Sequence, residues 1–437
     1  MVGEYRGECV CVLSPEPNLV KTIWQSENAI VYPTLTQDAE CDVCVVGGGV
    51  SGLSVALGFA ERGLSVIVLE ASCIGAGQTA RSTAHLCTAL DERYFRLERS
   101  HSQEIAKAAA DCHGRAIEWI ERVVARHEID CGLRRVDGVL VVNAERLKDA
   151  KELLTKEHDS AGRAGVRSEW LAAGDSRLAG FAGGGLLFPN QAELHPLKYL
   201  DGLARSCQQL GARVCCAASV LAVDDTISRA TVTLASGVKV SAKAVVLATH
   251  TLTPPIARLL RPMTASVSFV VAFEATAPTS LLWDGYWDDD DTPYHFVRSA
   301  PGAEVGHPDV PHVLLVGGED EDGERPRDEL ASYRKVERWA REHYPSIGKQ
   351  LNAWWGRIAE PEGEFAIIGR VPTCERLYVV VGDSGNGVTY AAFAAQRLGA
   401  LVMNEPTLAV EDGMFATERG EGQSSNAAQQ QRSKAGK

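Results

Sequence analysis

The run Val43-Cys-Val-Val-Gly47-Gly48-Gly49-Val50-Ser51-Gly52 constrains this chain more than any other. It sets GxGxxG directly after an apolar strand and directly before a helix, and each glycine has a mechanical task. Gly47 makes the tight turn, Gly49 lets the backbone approach a pyrophosphate, and Gly52 lets helix and strand pack closely. Val50 and Ser51 open the helix, whose free N–H groups and dipole favour a diphosphate at that end. Ala56 continues the pattern and Gly63 closes the helix. The next strand, Ser65-Val-Ile-Val-Leu-Glu70, ends in an acid placed to accept hydrogen bonds from ribose hydroxyls.

A glycine turn and an acid do not separate FAD from NAD. Far downstream, Leu377-Tyr-Val-Val-Val-Gly382-Asp-Ser-Gly385-Asn-Gly387-Val388-Thr389 forms a second strand, glycine turn and helix. FAD is long enough to need two helix N-termini, one under the diphosphate and one near the flavin. Reduction places negative charge on the pyrimidine edge of the flavin, and a helix start favours charge there. An ordinary strand-turn-helix gives the same pattern.

Composition narrows the partners. Asp and Glu number 57 against 44 Lys and Arg, a net charge of −13. Phosphate-binding surfaces need the opposite balance, so no nucleic acid is expected. No run of about eighteen apolar residues offers a membrane span. The first forty residues lack the basic start and apolar centre of a secretory signal, which makes the cytoplasm the expected location. At 437 residues the chain has room for two or three core-bearing units.

Twelve cysteines raise the question of a metal or disulfides. Cys41 and Cys44 fall inside the first strand, where positions three apart on regular backbone point to opposite faces, against chelation or bridging. They read as small buried hydrophobes, and no metal is expected. The acidic runs 288–291 and 319–322 lack the spaced glycine and closing acid of a calcium loop. They read as solvated loops.

The chain resembles the D-amino-acid oxidase / glycine oxidase superfamily of FAD-dependent oxidoreductases over roughly residues 20–410. The resemblance rests on the first glycine motif through Glu70, the loop Gly75–Thr83, Val245-Val-Leu-Ala-Thr249 and the Gly382–Thr389 segment. It is most similar to a branch whose flavin domain is usually followed by a Rieske iron–sulfur domain. Thr83-Ala-His-Leu-Cys-Thr88, Leu194–Leu200, Ala248-Thr-His-Thr251, Pro293–Arg298 and Gly317-Gly-Glu-Asp320 carry that likeness. The last cysteine is Cys374, so the paired Cys and His ligands of a Rieske centre are missing. Electrons then leave to oxygen or a separate carrier.

The resemblance implies an α/β fold: a discontinuous Rossmann-like FAD-binding domain and a second, mixed-sheet α+β substrate domain. The boundaries expected are 41–100, 190–260 and 360–415 for the first, and 101–189 and 261–359 for the second. Residues 1–40 form an N-terminal extension and 416–437 a disordered tail. It further implies that Gly47, Gly49 and Gly52 take the pyrophosphate and Glu70 the ribose, with Gly75, Gly77, Gln78 and Thr79 passing beside flavin and diphosphate. Val220 holds the adenine through its backbone, and Gly385, Gly387, Val388 and Thr389 face the pyrimidine edge. His85 is not at the spacing used by covalent relatives, and no cysteine stands near Trp354-Trp355-Gly356, so non-covalent FAD is expected.

Amine oxidation by flavin asks little of side chains, because the cofactor carries the hard step. The expected reaction is oxidation of the C–N bond of a small amine or amino acid by hydride transfer, followed by imine hydrolysis. Tyr294 and Arg298 fall on one face of a strand and suit a carboxylate, although a plain sheet surface shows the same alternation. Arg357 lies one residue from the place where amino-acid oxidases of the superfamily clamp a carboxylate, an offset that turns it to the other sheet face. The rival reading is a non-catalytic or partner-dependent flavoprotein subunit. A pocket filled by Trp354 or Trp355 would favour that rival.

Overall fold

The structure, a computed structural model, describes residues 10–11, 21–25, 32–142, 150–178, 181, 183–252, 254–284 and 294–418. The acidic run 288–291, residues beyond 418 and most of the N-terminal extension lie outside the described residues.

In chain order, the elements that position the site are β1 (Ala39–Val46), α1 (Val50–Ala60), β2 (Val66–Leu69), α2 (Gln103–Arg126), β3 (Arg134–Val141), β4 (Gly185–Glu193), α3 (Pro196–Gln209) and β5 (Arg213–Cys215). There follow β6 (Lys239–Leu247), β7 (Met263–Ala275), β8 (His295–Pro301), β9 (His312–Asp322), α4 (Glu329–His343), β10 (Gln350–Pro361), β11 (Leu377–Val381) and α5 (Gly387–Val402).

Five parallel strands, in the order β5-β2-β1-β6-β11, form the centre of the first sheet. Parallel strands buried on both faces read as unbroken apolar runs, and Val66-Ile-Val-Leu69 is buried throughout. One face packs under α1, α3 and α5 through Leu53, Phe59, Leu203 and Leu398. The opposite face holds Ile67, Val245 and Val379 against Ile256 and Leu260.

Two sequence expectations change here. The helical pattern over 92–128 is broken into Tyr94–Ser100 and α2, because Ser102 caps α2 by accepting from the Ile105 amide at 3.2 Å. The domain boundaries give α2 to the substrate domain, yet Ile117 and Ile120 lie in one core with α1 and α5. α2 therefore packs beside α1 and α5, between two second-sheet strands in chain order, His85–Leu86 before it and β3 after it.

Cys41 and Cys44 also depart from regular alternation. The amides of Asp42 and Val43 both donate to Ser65 O, at 3.0 and 3.1 Å, so two residues of β1 face one of its neighbour. This bulge brings both cysteines into the same apolar cluster. Burial pushes the Cys41 thiol up to about 12 and the Cys44 thiol well above its ordinary value, so both sit as protonated hydrophobes.

The second sheet runs β10-β7-β9-β8, then Leu281–Asp284, β3, β4 and His85–Leu86. It is antiparallel except where Leu281–Asp284 runs parallel to β3, a mixed sheet as expected. Val336 and Trp339 of α4 cover one face by packing on Val267, Phe269 and Val316. Between β7 and β9 the register slips, so Glu319 and Asp320 together oppose Ser268. Glu319 takes a left-handed φ of 58°. The acidic run 319–322, expected as a solvated loop, is thus the end of β9, and its bulge stands beside the cavity described next.

Candidate active site

A cavity of about 1010 Å³ runs from the first glycine turn to the second, with the second sheet as its far wall. Its size is at the upper end of the range for small-molecule sites. At its nucleotide end the glycines are sterically obligatory. A Cβ on Gly47 (φ 111°) would lie 2.3 Å from Ala248 O, and one on Gly52 would lie 1.9 Å from Gly47 O. Gly49 faces nothing tighter than Thr79 Oγ1 at 3.3 Å. The Val50 amide is already satisfied by Thr79 Oγ1 at 3.0 Å, whereas Ser51 lies on the cavity wall. Glu70 ends β2 with Oε2 accepting from Gly48 N at 2.8 Å and Oε1 from Ser72 N at 2.9 Å, which fixes its carboxylate at the rim.

The middle of the cavity is bounded by Gly75, Gly77 and Gln78, and Val220 also lines it. Gly75 has a φ of 81°, and a Cβ there would meet Leu197 Cδ2 at 2.8 Å. Gln78 reaches across, its Oε1 accepting from Arg357 N at 2.9 Å, and so ties the loop to β10. At the other end Gly385 turns with φ 84°, and a Cβ on Gly387 would lie 2.5 Å from Asp383 Oδ2. Val388 lines the cavity. Thr389 stands behind it, 1 % exposed, with a hydroxyl that has no hydrogen-bond partner among the described residues. Two glycine turns opening into one elongated cavity, with an acid at the first, fit a dinucleotide that spans both helix starts.

The substrate side separates the three candidates. Tyr294 and Phe296 line the cavity, and Tyr294 Oη donates to Asp91 Oδ1 at 3.2 Å. Asp91 Oδ2 accepts from Asn386 Nδ2 at 3.1 Å, so one carboxylate links the second-sheet wall to the second glycine turn. Arg298 does not reach the cavity. It is 1 % exposed, donates to Thr83 O at 2.6 Å and Leu194 O at 3.0 Å, and pairs with Glu193 at 3.2 Å. A buried guanidinium held by two backbone carbonyls and a carboxylate is an internal strut. Arg357 pairs across the sheet with Val267, on the α4 side, and its Nη1 lies 2.7 Å from Glu324. Its backbone borders the cavity while its charge is taken up outside.

Neither tryptophan fills the cavity. Trp354 is fully buried in a separate cluster with Trp24 and Val270, its Nε1 donating to Arg81 O at 2.9 Å. Trp355 lies under the Arg81 guanidinium, 5.1 Å from its ring centre.

Residues that the sequence reading passed over dominate the wall instead. Asp91, Glu92, Asp320, Glu360 and Glu364 all face the cavity. Enclosure by protein, reinforced by the Asp91 charge, pushes Glu92 up to about 8. Asp320 opens onto the cavity, yet its enclosure raises it to about 7, with Glu360 and Asp91 adding to the effect. Enclosure alone takes Asp383 to about 6. His85 and His250, pushed down to about 3 and about 4 by burial, are neutral at pH 7.

The fold and the paired glycine turns define a dinucleotide-dependent oxidoreductase of the doubly wound class. The chain belongs to the FAD dependent oxidoreductase family, whose profile matches residues 42–401. It is 27% identical to the gamma-glutamylputrescine oxidoreductase of Escherichia coli over 386 residues, 86% of each protein. It is 30% identical over 199 residues to the Bacillus subtilis protein YhfW, named as a Rieske 2Fe-2S iron-sulfur protein; the match spans 44% of this chain and 37% of that one. Among solved structures, glycine oxidase from Geobacillus kaustophilus superposes with a TM-score of 0.72 at 19% identity, covering 88% of this chain and 100% of that one. The chain is thus an FAD-dependent oxidoreductase related to amino-acid and amine oxidases. Among the described residues no helix is long and apolar enough to cross a membrane.

Proposed function

We propose that this protein oxidises the C–N bond of a small amine in the space between the second glycine turn and the wall formed by Tyr294, Phe296 and Ser268. The observation that carries the reading is an open chamber beside both glycine turns, with Trp354 and Trp355 packed outside it. That openness favours turnover over a purely structural flavoprotein. FAD, when bound, supplies the acceptor for two electrons and a proton, and we read its attachment as non-covalent, a reading that the buried cysteine of the cavity wall supports. Cys87 lines the cavity, but burial raises its thiol well above the ordinary range, which disfavours a reactive thiolate.

In this reading Gly47, Gly49, Ser51 and Gly52 receive the diphosphate, Glu70 the ribose and Val220 the adenine. Gly75, Gly77, Gln78 and Thr79 flank the cofactor, and Gly385, Gly387 and Val388 border its flavin end with Thr389 behind them. Tyr294 is oriented by Asp91, and Phe296 shields the chamber from water. The amine gives up a hydride from its α-carbon and a proton from its nitrogen, converting C–N to C=N. Water then adds to the imine and releases a carbonyl compound and the nitrogen fragment. The electrons pass onward to dioxygen or to a separate carrier.

The test is an anaerobic visible spectrum of the purified, FAD-loaded protein titrated with amino acids, N-methylated amino acids and amines. Bleaching of the flavin band by an amine supports the reading, and air then distinguishes an oxidase from a dehydrogenase. A yellow protein that nothing bleaches overturns it.

A further inference from the structure

Among the described residues, seven carboxylates line the cavity against three guanidiniums and no lysine. One of the seven is Glu70 at the nucleotide end. The rest gather at the chamber and the turn beside it, where Arg81, Arg96 and Arg357 are outnumbered. Arg357 is paired with Glu324 and Arg81 lies over Trp355. Arg298, behind the wall, is bound to Glu193. A substrate carboxylate therefore meets negative charge here in place of a clamp.

The acids differ in how far they are already satisfied. Asp91 accepts from Tyr294 and Asn386. Glu364 is held by His101 at 3.0 Å and Ser100 at 3.1 Å. Glu360 accepts from Ser266 Oγ at 2.5 Å, and Asp320 stands on the bulge opposite Ser268. Ser268 adds a hydroxyl to this group. It is 6 % exposed, faces the cavity beside Asp320 and favours the charged form of that acid, and among the described residues its hydroxyl has no well-oriented hydrogen bond. Buried polar groups left this way are ordinarily completed by a ligand or water. Like charges that raise one another's affinity for protons also attract a cation.

We propose that the chamber takes its substrate as a dication, a diamine or polyamine whose second ammonium is held by Asp320 and Glu360 with Ser268 beside them. The inference rests on the amine-oxidising reading above and names its substrate class. An ammonium carries three donors, which match the two carboxylates and the hydroxyl. Ionic contacts in an enclosed site are strong enough to set specificity.

The test uses the FAD-loaded protein under anaerobic conditions, with 1,4-diaminobutane, n-butylamine and 4-aminobutanoate as probes. Calorimetry reads binding and the flavin band reads oxidation, so the two readings fail separately. The expected result is 1,4-diaminobutane binding at least about tenfold more tightly than n-butylamine, 4-aminobutanoate binding more weakly than either, and added salt narrowing the gap. Asp320→Asn and Glu360→Gln should each shrink the diamine advantage several-fold at unchanged flavin content. Equal affinity for diamine and monoamine, or tighter binding of 4-aminobutanoate, overturns the proposal. So does a loss in both variants that is the same for diamine and monoamine. Diamine preference without bleaching keeps the dication site and removes the oxidation reading; bleaching by monoamines without diamine preference does the reverse.

Discussion

The Phe296 ring occupies the space that a side chain on Gly317 would need: a Cβ at 317 would lie 2.1 Å from Phe296 Cζ. The two residues pair directly across β8 and β9, so the missing side chain on one strand is the seat of the ring on the other. Next to it, a Cβ on Gly318 would lie 2.0 Å from Tyr294 O. The glycine pair lets the aromatic wall of the chamber lie flat on the sheet.

Gly317→Ala should therefore destabilise the protein by about 1–3 kcal/mol through overpacking and raise KM as Phe296 is pushed into the chamber. Combining it with Phe296→Leu should recover part of the stability, a coupling that a double-mutant thermal-denaturation cycle measures. Strictly additive losses would show that the ring has another place to go.

Arg298→Met should cost about 3–5 kcal/mol, because it leaves Glu193 buried without its partner. Chemical denaturation reads this directly. Substrate preference should be unchanged, since Arg298 stands behind the wall, and a selective change in preference would place it at the substrate after all.

Glu70→Ala should weaken FAD retention by about tenfold to a hundredfold, the cost of losing hydrogen bonds to a charged acceptor. It also releases the Gly48 and Ser72 amides from the carboxylate that holds them. Ultrafiltration at a series of FAD concentrations gives the dissociation constant. Retention at the wild-type level would argue that the carboxylate serves the loop alone.

Glu92 carries a pH signature. Its folded value of about 8 lies above its ordinary 4.5, so the protonated form is favoured by folding. The stability this contributes is complete below the ordinary value and is lost as pH rises through about 8. Between these limits Glu92→Gln should gain in melting temperature relative to the wild type as the pH is raised. A difference that stays constant with pH would mean that water in the chamber restores the ordinary value.

The nucleotide half is legible in the sequence because its signals are local. Gly52 is demanded by backbone within its own turn and Gly47 by backbone at the end of the adjoining strand, and Glu70 follows at the end of the next strand. Asp320 was not legible, because a sequence of four acidic residues looks the same in a solvated loop and on a bulged strand. Only the slip of register opposite Ser268 aims it at the chamber. Arg298 misled for a related reason. Alternation correctly puts it on the face of Tyr294 and Phe296, yet Glu193, from a strand distant in sequence, captures it before it reaches the cavity. The Cys41 and Cys44 pair escaped the alternation rule through a bulge that also leaves no periodic trace.

Strand β6 carries β1 on one side and β11 on the other, although β1 is made early in synthesis and β11 near the end. On the proposed reading, the turn that receives the diphosphate leaves the ribosome long before the turn that borders the flavin exists. A nascent chain would then present half a cradle, and firm loading would wait for translation to pass α5. Yellow colour would on that reading be a proofreading mark, certifying that both ends of a long message were read and that they found each other.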